Sequence, residues 1–287
     1  MARWAVLDVP IDCSGTARGE ERAPAALRAA GLVERLAARD AGRVGGRIRD
    51  RQRDPDTGVV GAIQVRRAST AIASGVREVL DARERPRVLG GDCTLLLGVF
   101  QALPDGSGLW FVDGHADFFD GQSSPSGEAA DMDLAILTGH GPPGLLEREG
   151  ALVEPDAVVL LGHRPAELHP DVARENARLD PAIVAITAPE VRERGAARMG
   201  TEAAARLEKR PAWLHLDLDV LDERALPAVS YPQGLGLFWD ELVALTRPLV
   251  TAPNLLGVSV ADFNPDRDPD GIYAARVVEA LESALRS

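Results

Sequence analysis

Leu109-Trp110-Phe111-Val112 runs without a linker into Asp113-Gly114-His115-Ala116-Asp117, and this stretch decides the fold. A short unbroken apolar run that stops at polar residues reads as a strand buried on both faces, the kind a parallel sheet uses. The carboxyl ends of such strands open onto the ligand crevice, so the residues just past each apolar run are the informative ones. Three more runs end the same way. Arg87-Val88-Leu89 leads into Gly90-Gly91-Asp92-Cys93-Thr94, and Trp213-Leu214 into His215-Leu216-Asp217-Leu218-Asp219-Val220-Leu221-Asp222. Val258-Ser259-Val260 leads into Ala261-Asp262-Phe263-Asn264-Pro265.

Outward from these runs, short apolar segments alternate with longer Ala-, Arg-, Glu- and Leu-rich stretches of helical period. That is the rhythm of an α/β chain, a parallel sheet with helices on both faces. Strands are expected at Trp4 to Leu7, Arg87 to Leu89, Leu109 to Val112, Ala157 to Leu161, Ala182 to Ile186, Trp213 to Leu218 and Leu255 to Val260, with edge strands missing from that set. Helices are expected at Pro24 to Ala38, Ala62 to Ala82, Thr94 to Leu103, Asp171 to Leu179, Thr201 to Lys209, Trp239 to Leu249 and Gly271 to Leu285. Loops are expected at Gly42 to Asp56, Asp120 to Gly127 and Asn264 to Gly271. None is long enough to separate domains, so residues 1–287 read as one domain. The Asp266-Arg267-Asp268-Pro269-Asp270 cluster reads as a solvated turn.

Composition narrows the partners. The 287 residues are 45% hydrophobic and 26% charged, which excludes a disordered or fibrous chain. Thirty-two basic against forty-four acidic side chains give a net charge of −12, a field that repels nucleic acid and anionic membrane surfaces. The same field favours metal ions or small basic substrates. Cys13 and Cys93 cannot form a disulfide framework, and Asp8 interrupts the N-terminus before any apolar run of signal length, so a cytoplasmic location is expected. No apolar stretch approaches the roughly 20 residues of a membrane helix.

In extended backbone, Asp113, His115 and Asp117 share one side, as do His215, Asp217 and Asp219, because the strand period is two. Carboxylates gathered at one sheet edge raise one another's pKa and cannot all ionise without cations. Two divalent ions balance Asp113, Asp117, Asp217 and Asp219, with Cys93 as thiolate adding a fifth charge. A two-metal centre is the economical reading.

With these motifs in hand, the chain resembles the ureohydrolase family, the arginase and agmatinase group, over nearly its whole length. The family's order is Gly-Gly-Asp-His, Asp-x-His-x-Asp, Asp-x-Asp-x-x-Asp, then an acid shortly before Asn-Pro. Ala23-Pro24-Ala25-Ala26-Leu27-Arg28 and Gly31-Leu32 are also similar to the family's first helix. The resemblance implies a three-layer α/β/α sandwich with a mostly parallel sheet of about eight strands, commonly a trimer or hexamer. It further implies one metal held by Cys93, Asp113, Asp117 and Asp217, and another by Asp113, His115, Asp217 and Asp219. Cys93 stands in the slot of the family's first metal histidine. A thiolate there makes manganese, the family's usual metal, less secure and admits zinc, iron, cobalt or nickel. Family members that hydrolyse hydroxylated arginine look similar at this position.

The substrate positions depart further. Phe119 and Glu128 stand where arginases place the asparagines that bind an α-carboxylate, in a segment that includes Ser126. A phenyl ring and a carboxylate cannot donate those hydrogen bonds, so L-arginine is not the expected substrate. Ala130 falls where arginases place a proton-shuttling histidine, with His140 or His215 as candidates to compensate. Asp262 stands for the guanidinium-binding glutamate, one methylene shorter, and Tyr231 replaces a small hydroxylated residue and narrows the pocket. Glu128 could grip a second cationic group, and His163-Arg164 resembles another family turn whose role stays open between structure and substrate contact.

The resemblance implies a binuclear metal hydrolase of a C–N bond in a guanidine- or amidine-type, cationic small molecule. Asp117 would relay a proton to the departing amine and Asp262 would hold the cationic end. Two other readings stay open. One is a deacetylase-like amidohydrolase, against which His115 and Asp219 argue; the other is an inactive, metal-stabilised binding protein.

Overall fold

The computed structural model describes residues 3–148 and 150–285. Its described strands are β1 (Trp4–Val9), β2 (Arg39–Arg43), β3 (Arg85–Gly90), β4 (Gly108–Val112), β5 (Val158–His163), β6 (Val184–Thr187), β7 (Ala212–Asp217) and β8 (Leu255–Ala261). They form one eight-stranded sheet in the order β2-β1-β3-β8-β7-β4-β5-β6. Every pairing is parallel.

Period-two alternation divides the core. Trp110, Val112, Leu214, Leu216 and Val258 point to the face covered by helices Ala23–Ala29, Ala196–Arg206, Trp239–Val250 and Ile272–Leu285. Leu109, Phe111, Trp213 and Val88 point to the other face, under Ala62–Asp81 and Leu95–Ala102. The expected α/β architecture with helices on both faces is therefore the observed one.

Differences from the expected elements have local causes. The helix expected at Pro24 to Ala38 is two pieces, Ala23–Ala29 and Leu32–Arg35, because Gly31 adopts a left-handed φ of 87° between them. The strand Arg39–Arg43 then follows in the gap after the expected helix and runs into the loop expected from Gly42; its five residues are half or fully exposed at the sheet edge, so no apolar run marks it. Two helices carried no expectation, Asp133–Leu137 and Ala188–Arg194. The second is set by a Thr187/Glu190 capping box with proline in its first turn. No helix among the described residues is long and apolar enough to cross a membrane.

The chain runs from β3 at one side of the centre to β4 three places away, and β7 and β8 later fill the gap. The four strands whose ends carry the polar motifs thus become four neighbours, β3-β8-β7-β4. The crevice that such a crossover leaves at the carboxyl edge is where ligands bind in α/β sheets.

Candidate metal centre

Gly91 sets the loop after β3. Its N–H donates to the Val9 carbonyl at 3.0 Å and its own carbonyl accepts from the Asp262 N–H at 2.7 Å. A Cβ at this position would lie 1.7 Å from the Ile11 carbonyl oxygen, so no larger residue fits without moving backbone. One glycine therefore places both Cys93, two residues on, and Asp262, just past the end of β8. Gly91→Ala is expected to destabilise the fold by about 3 kcal/mol and to lower metal uptake. Thermal unfolding and elemental analysis check this, and an unchanged melting temperature would show that the loop can shift freely.

The two acidic triplets converge differently from the strand alternation expected of them. β4 ends at Val112, so Asp113, His115 and Asp117 lie on the loop beyond it, with Asp117 bent to a φ of 48°. On β7 alternation holds for His215 and Asp217, after which a tight turn at Leu218–Val220 brings Asp219 back. That turn is fixed by the Asp219 N–H donating to Asp217 Oδ1 at 2.6 Å. Asp262 is also bent, at a φ of 65°. Left-handed backbone is uncommon outside glycine, and here it falls on two carboxylates of one cavity, as strain at a functional site does.

That cavity has a volume of about 380 Å³, and its walls include Cys93, Asp113, His115, Asp117, Asp217, Asp219 and Asp262. Cys93 Sγ lies 2.7 Å from Asp217 Oδ2, 3.1 Å from His215 Nε2, 3.2 Å from Asp262 Oδ2 and 3.8 Å from Asp113 Oδ2. Three overlapping donor groups result, each with its atoms within 4.8 Å of one another: Cys93, Asp113, His215 and Asp217; Cys93, Asp117 and Asp133; and Asp113, His115 and Asp219. All six residues expected to hold metal are brought together. Asp133 is wholly buried with neither carboxylate oxygen partnered, a costly state that a cation beside it would relieve. Sulfur, nitrogen and oxygen donors at this density fit divalent metal ions.

The electrostatics agree. Burial first, and then the neighbouring carboxylates, push Asp113, Asp117, Asp133, Asp217 and Asp262 well above the ordinary range. Cys93 is raised by burial and then by Asp217 and Asp262. Burial would depress His115, but the Asp219 carboxylate 2.9 Å away overrides it and raises the imidazole to about 9. Asp219 is held low in return, against burial, by that imidazole. A divalent cation inverts this pattern by stabilising every anion around it.

Phe119, Ser126, Glu128 and Tyr231, expected as substrate positions, all line the cavity wall, and so does Ala130 in the slot of the missing shuttle. Glu128, however, is already taken. Arg18 Nη2 and Nη1 donate to its two oxygens at 2.7 and 3.2 Å, and Arg18 Nη1 also donates to the Tyr231 hydroxyl at 2.5 Å. The expectation that Glu128 could grip a cationic group of the substrate is corrected here, because the chain supplies that cation itself. Ser126 donates to Asp131 Oδ2 at 2.6 Å.

His140 is not brought to the cavity. Its ring packs against Phe118 and its Nε2 lies 3.2 Å from Asp180, so it cannot stand in for a shuttle there. Arg164 is structural: buried, it donates to the carbonyls of Asp219 at 2.8 Å, Leu221 at 2.9 Å and Gly234 at 2.9 Å, clamping the turn that carries Asp219. Arg18, Asp131 and Asp133 escaped the sequence reading. Asp131 and Asp133 sit beside Ala130 with only their acidity as a signal, and Arg18 reaches Glu128 across 110 residues of chain.

With the geometry in place, the comparisons with known proteins converge. The chain is 29% identical to the arginase of Bacillus caldovelox over 291 residues, covering 97% of this chain and 96% of the relative. It is 27% identical to the arginase of Bacillus subtilis over 289 residues, covering 98% of this chain and 96% of the relative. The solved Bacillus caldovelox arginase superposes with a TM-score of 0.85 at 29% identity, covering 100% of this chain and 99% of that one. The agmatine ureohydrolase of Thermoplasma volcanium shares the fold at a TM-score of 0.70 and 20% identity, covering 99% of this chain and 89% of that one. A family model described as "Arginase family" matches residues 2–285, and since that span carries all four motif-bearing strand ends, this chain belongs to the arginase family.

Proposed function

We propose that the chain is a binuclear metal-dependent hydrolase that cleaves a C–N bond of a guanidine- or amidine-type substrate other than L-arginine. The observation that carries this reading is the single cavity in which Cys93, Asp113, His115, Asp117, Asp217 and Asp219 gather beside Asp262. Cys93, Asp113, Asp117 and Asp217 would hold one ion, and Asp113, His115, Asp217 and Asp219 the other. Two divalent ions, manganese or, given the thiolate, zinc, iron, cobalt or nickel, would lower the pKa of a water and polarise the substrate.

The chain's own groups supply the rest. Asp262, buried beside Cys93, would orient the planar cation of the guanidine by a charge-assisted hydrogen bond. Asp117 would take a proton from the attacking water and pass it to the departing amine. Asp131 lines the same cavity with Oδ1 unpartnered, and burial raises it to about 6, which suits it to exchange that proton with solvent where Ala130 cannot. At the mouth, Arg18, Glu128 and Tyr231 satisfy one another, so they favour a distal end that is uncharged. Phe119 adds an apolar wall against the same end.

Retention of His115 and Asp219, 2.9 Å apart in the second donor group, favours this reading over a one-metal deacetylase. The test is a urea, ammonia and amine release screen over alkylguanidines, agmatine and L-arginine, with the protein loaded in turn with manganese, zinc and cobalt. An alkyl or hydroxyalkyl guanidine whose distal end is uncharged is expected to exceed L-arginine in kcat/KM by at least about 10-fold, the scale of one lost polar contact. The kcat profile should carry a limb near pH 6 that Asp131→Asn removes. Preference for L-arginine would overturn the substrate reading, and no product from fully loaded protein would overturn the hydrolase.

A further inference from the structure

We infer that His215 is a metal ligand, so that one of the two metal positions is a Cys93–His215–Asp113–Asp217 site of softer character than the other. The inference rests on the two-metal reading above and goes beyond it by moving an imidazole onto β7 and by dividing the metals between positions.

His215 stands two residues before Asp217 on the same strand, so the pleat sends both side chains to one side. Its register partners in the sheet fix the ring. Phe111 on β4 stacks on it, centroids 5.3 Å apart and planes 18° apart, and Ser259 on β8 meets its Nδ1 through Oγ at 2.8 Å. The same Oγ receives the Trp213 indole N–H at 2.9 Å. In the tautomer whose Nδ1–H donates to Ser259, both lone pairs of that oxygen are used and the Nε2 lone pair is left free for a metal. It points at the cluster, 3.1 Å from Cys93 Sγ. An imidazole oriented from behind by a hydrogen bond on its far nitrogen is how proteins present a histidine to a metal.

The donor atoms of Cys93, Asp113, His215 and Asp217 lie within 4.8 Å of one another, one sulfur, one nitrogen and two carboxylates. That set suits zinc or cobalt. The third donor group, Asp113, His115 and Asp219, has no sulfur and suits a harder ion such as manganese. A second observation points to a cation at the sulfur end. Asp133 is wholly buried, neither of its oxygens has a partner, and it shares a donor group with Cys93 and Asp117.

The experiment uses the full chain, stripped with a chelator and reloaded with one equivalent of zinc or cobalt. Cobalt should bring a thiolate-to-metal charge-transfer band that Cys93→Ser abolishes, and zinc X-ray absorption should show one sulfur and one imidazole. His215→Asn should keep the sulfur, lose the imidazole and weaken zinc at least about 10²-fold. Ser259→Ala should weaken zinc about 10-fold while keeping both ligands. Sulfur without imidazole in the unmutated protein would overturn the inference whether or not His215→Asn folds, and would leave two-metal binding intact. Failure of the unmutated protein to bind two ions when metal is in excess would overturn the underlying reading as well.

Discussion

Stripped of metal, Asp217→Asn protein is expected to unfold at a higher temperature than the stripped parent at pH 8, yet loaded with metal to turn over its guanidine about 10³-fold more slowly. Asp217 is buried and its carboxyl is raised first by burial and then by Asp219 and Asp113, so the empty fold opposes its negative charge and loses stability as pH climbs above the unfolded value. Asparagine keeps an oxygen for the Asp219 N–H, which Oδ1 accepts at 2.6 Å, and removes that charge. With metal present the sign reverses. Oδ2 belongs to the group around Cys93 while Oδ1 fixes the turn that aims Asp219, so the carboxylate serves both donor groups. Electrostatic assistance from bound metal is worth several kcal/mol, and at about 1.4 kcal/mol per tenfold a loss of about 4 kcal/mol is the expected thousandfold. Differential scanning calorimetry with and without chelator, beside steady-state kinetics at saturating metal, reads both halves. Equal melting of the two stripped proteins would show that Asp217 carries no opposed charge.

Stability and function pull apart here as they commonly do at a site built for charge. The sequence made that site legible to the extent that apolar runs announced it. Leu109 to Val112 is buried at every residue, so its end and the acids beyond it could be read directly. β2 could not be read, because an edge strand of Arg, Asp, Ala and Gly shields itself with charge and carries no apolar period. The strand period could put His215 on the same side as Asp217, but what orients its ring is lateral. Phe111 and Ser259 are its partners through sheet register, 104 residues before it and 44 after it, and a single strand's pattern does not contain them. Arg18 is hidden for the same reason, and with it the neutralisation of Glu128. Asp131 and Asp133 were obscured locally, since they fall on a tight turn and a five-residue helix too short to show a period. What sequence conveyed was which strand ends matter; what it withheld was which neighbours the sheet places beside them.

The gap in melting temperature between loaded and stripped protein should widen as pH rises from 5 to 9. Asp113, Asp117, Asp133, Asp217 and Asp262 have folded-state pKa values raised above the unfolded value of about 3.9, so the stripped native state binds more protons than the unfolded chain. The slope of stability with pH is then negative: their contribution is complete below about pH 4 and is lost as pH climbs through the folded values. Each unit of elevation that is lost costs about 1.4 kcal/mol. Asp131, raised to about 6, and Glu20, raised to about 7, both chiefly by burial, place some of that loss in the neutral range. His115, raised to about 9 by Asp219 against its burial, adds a contribution of the same sign, present below about 6.5 and gone above 9. Asp219 runs the other way, but its depressed value confines its loss to acid below this window. Metal needs the deprotonated ligands, so binding expels protons and strengthens as pH rises, which sets the loaded and stripped curves moving in opposite directions. Calorimetric titration with zinc or manganese in buffers of different ionisation enthalpy should therefore register net proton release at pH 7. A gap independent of pH, with no proton release, would mean that the buried carboxylates are already ionised in the stripped protein and that something other than metal balances their charge.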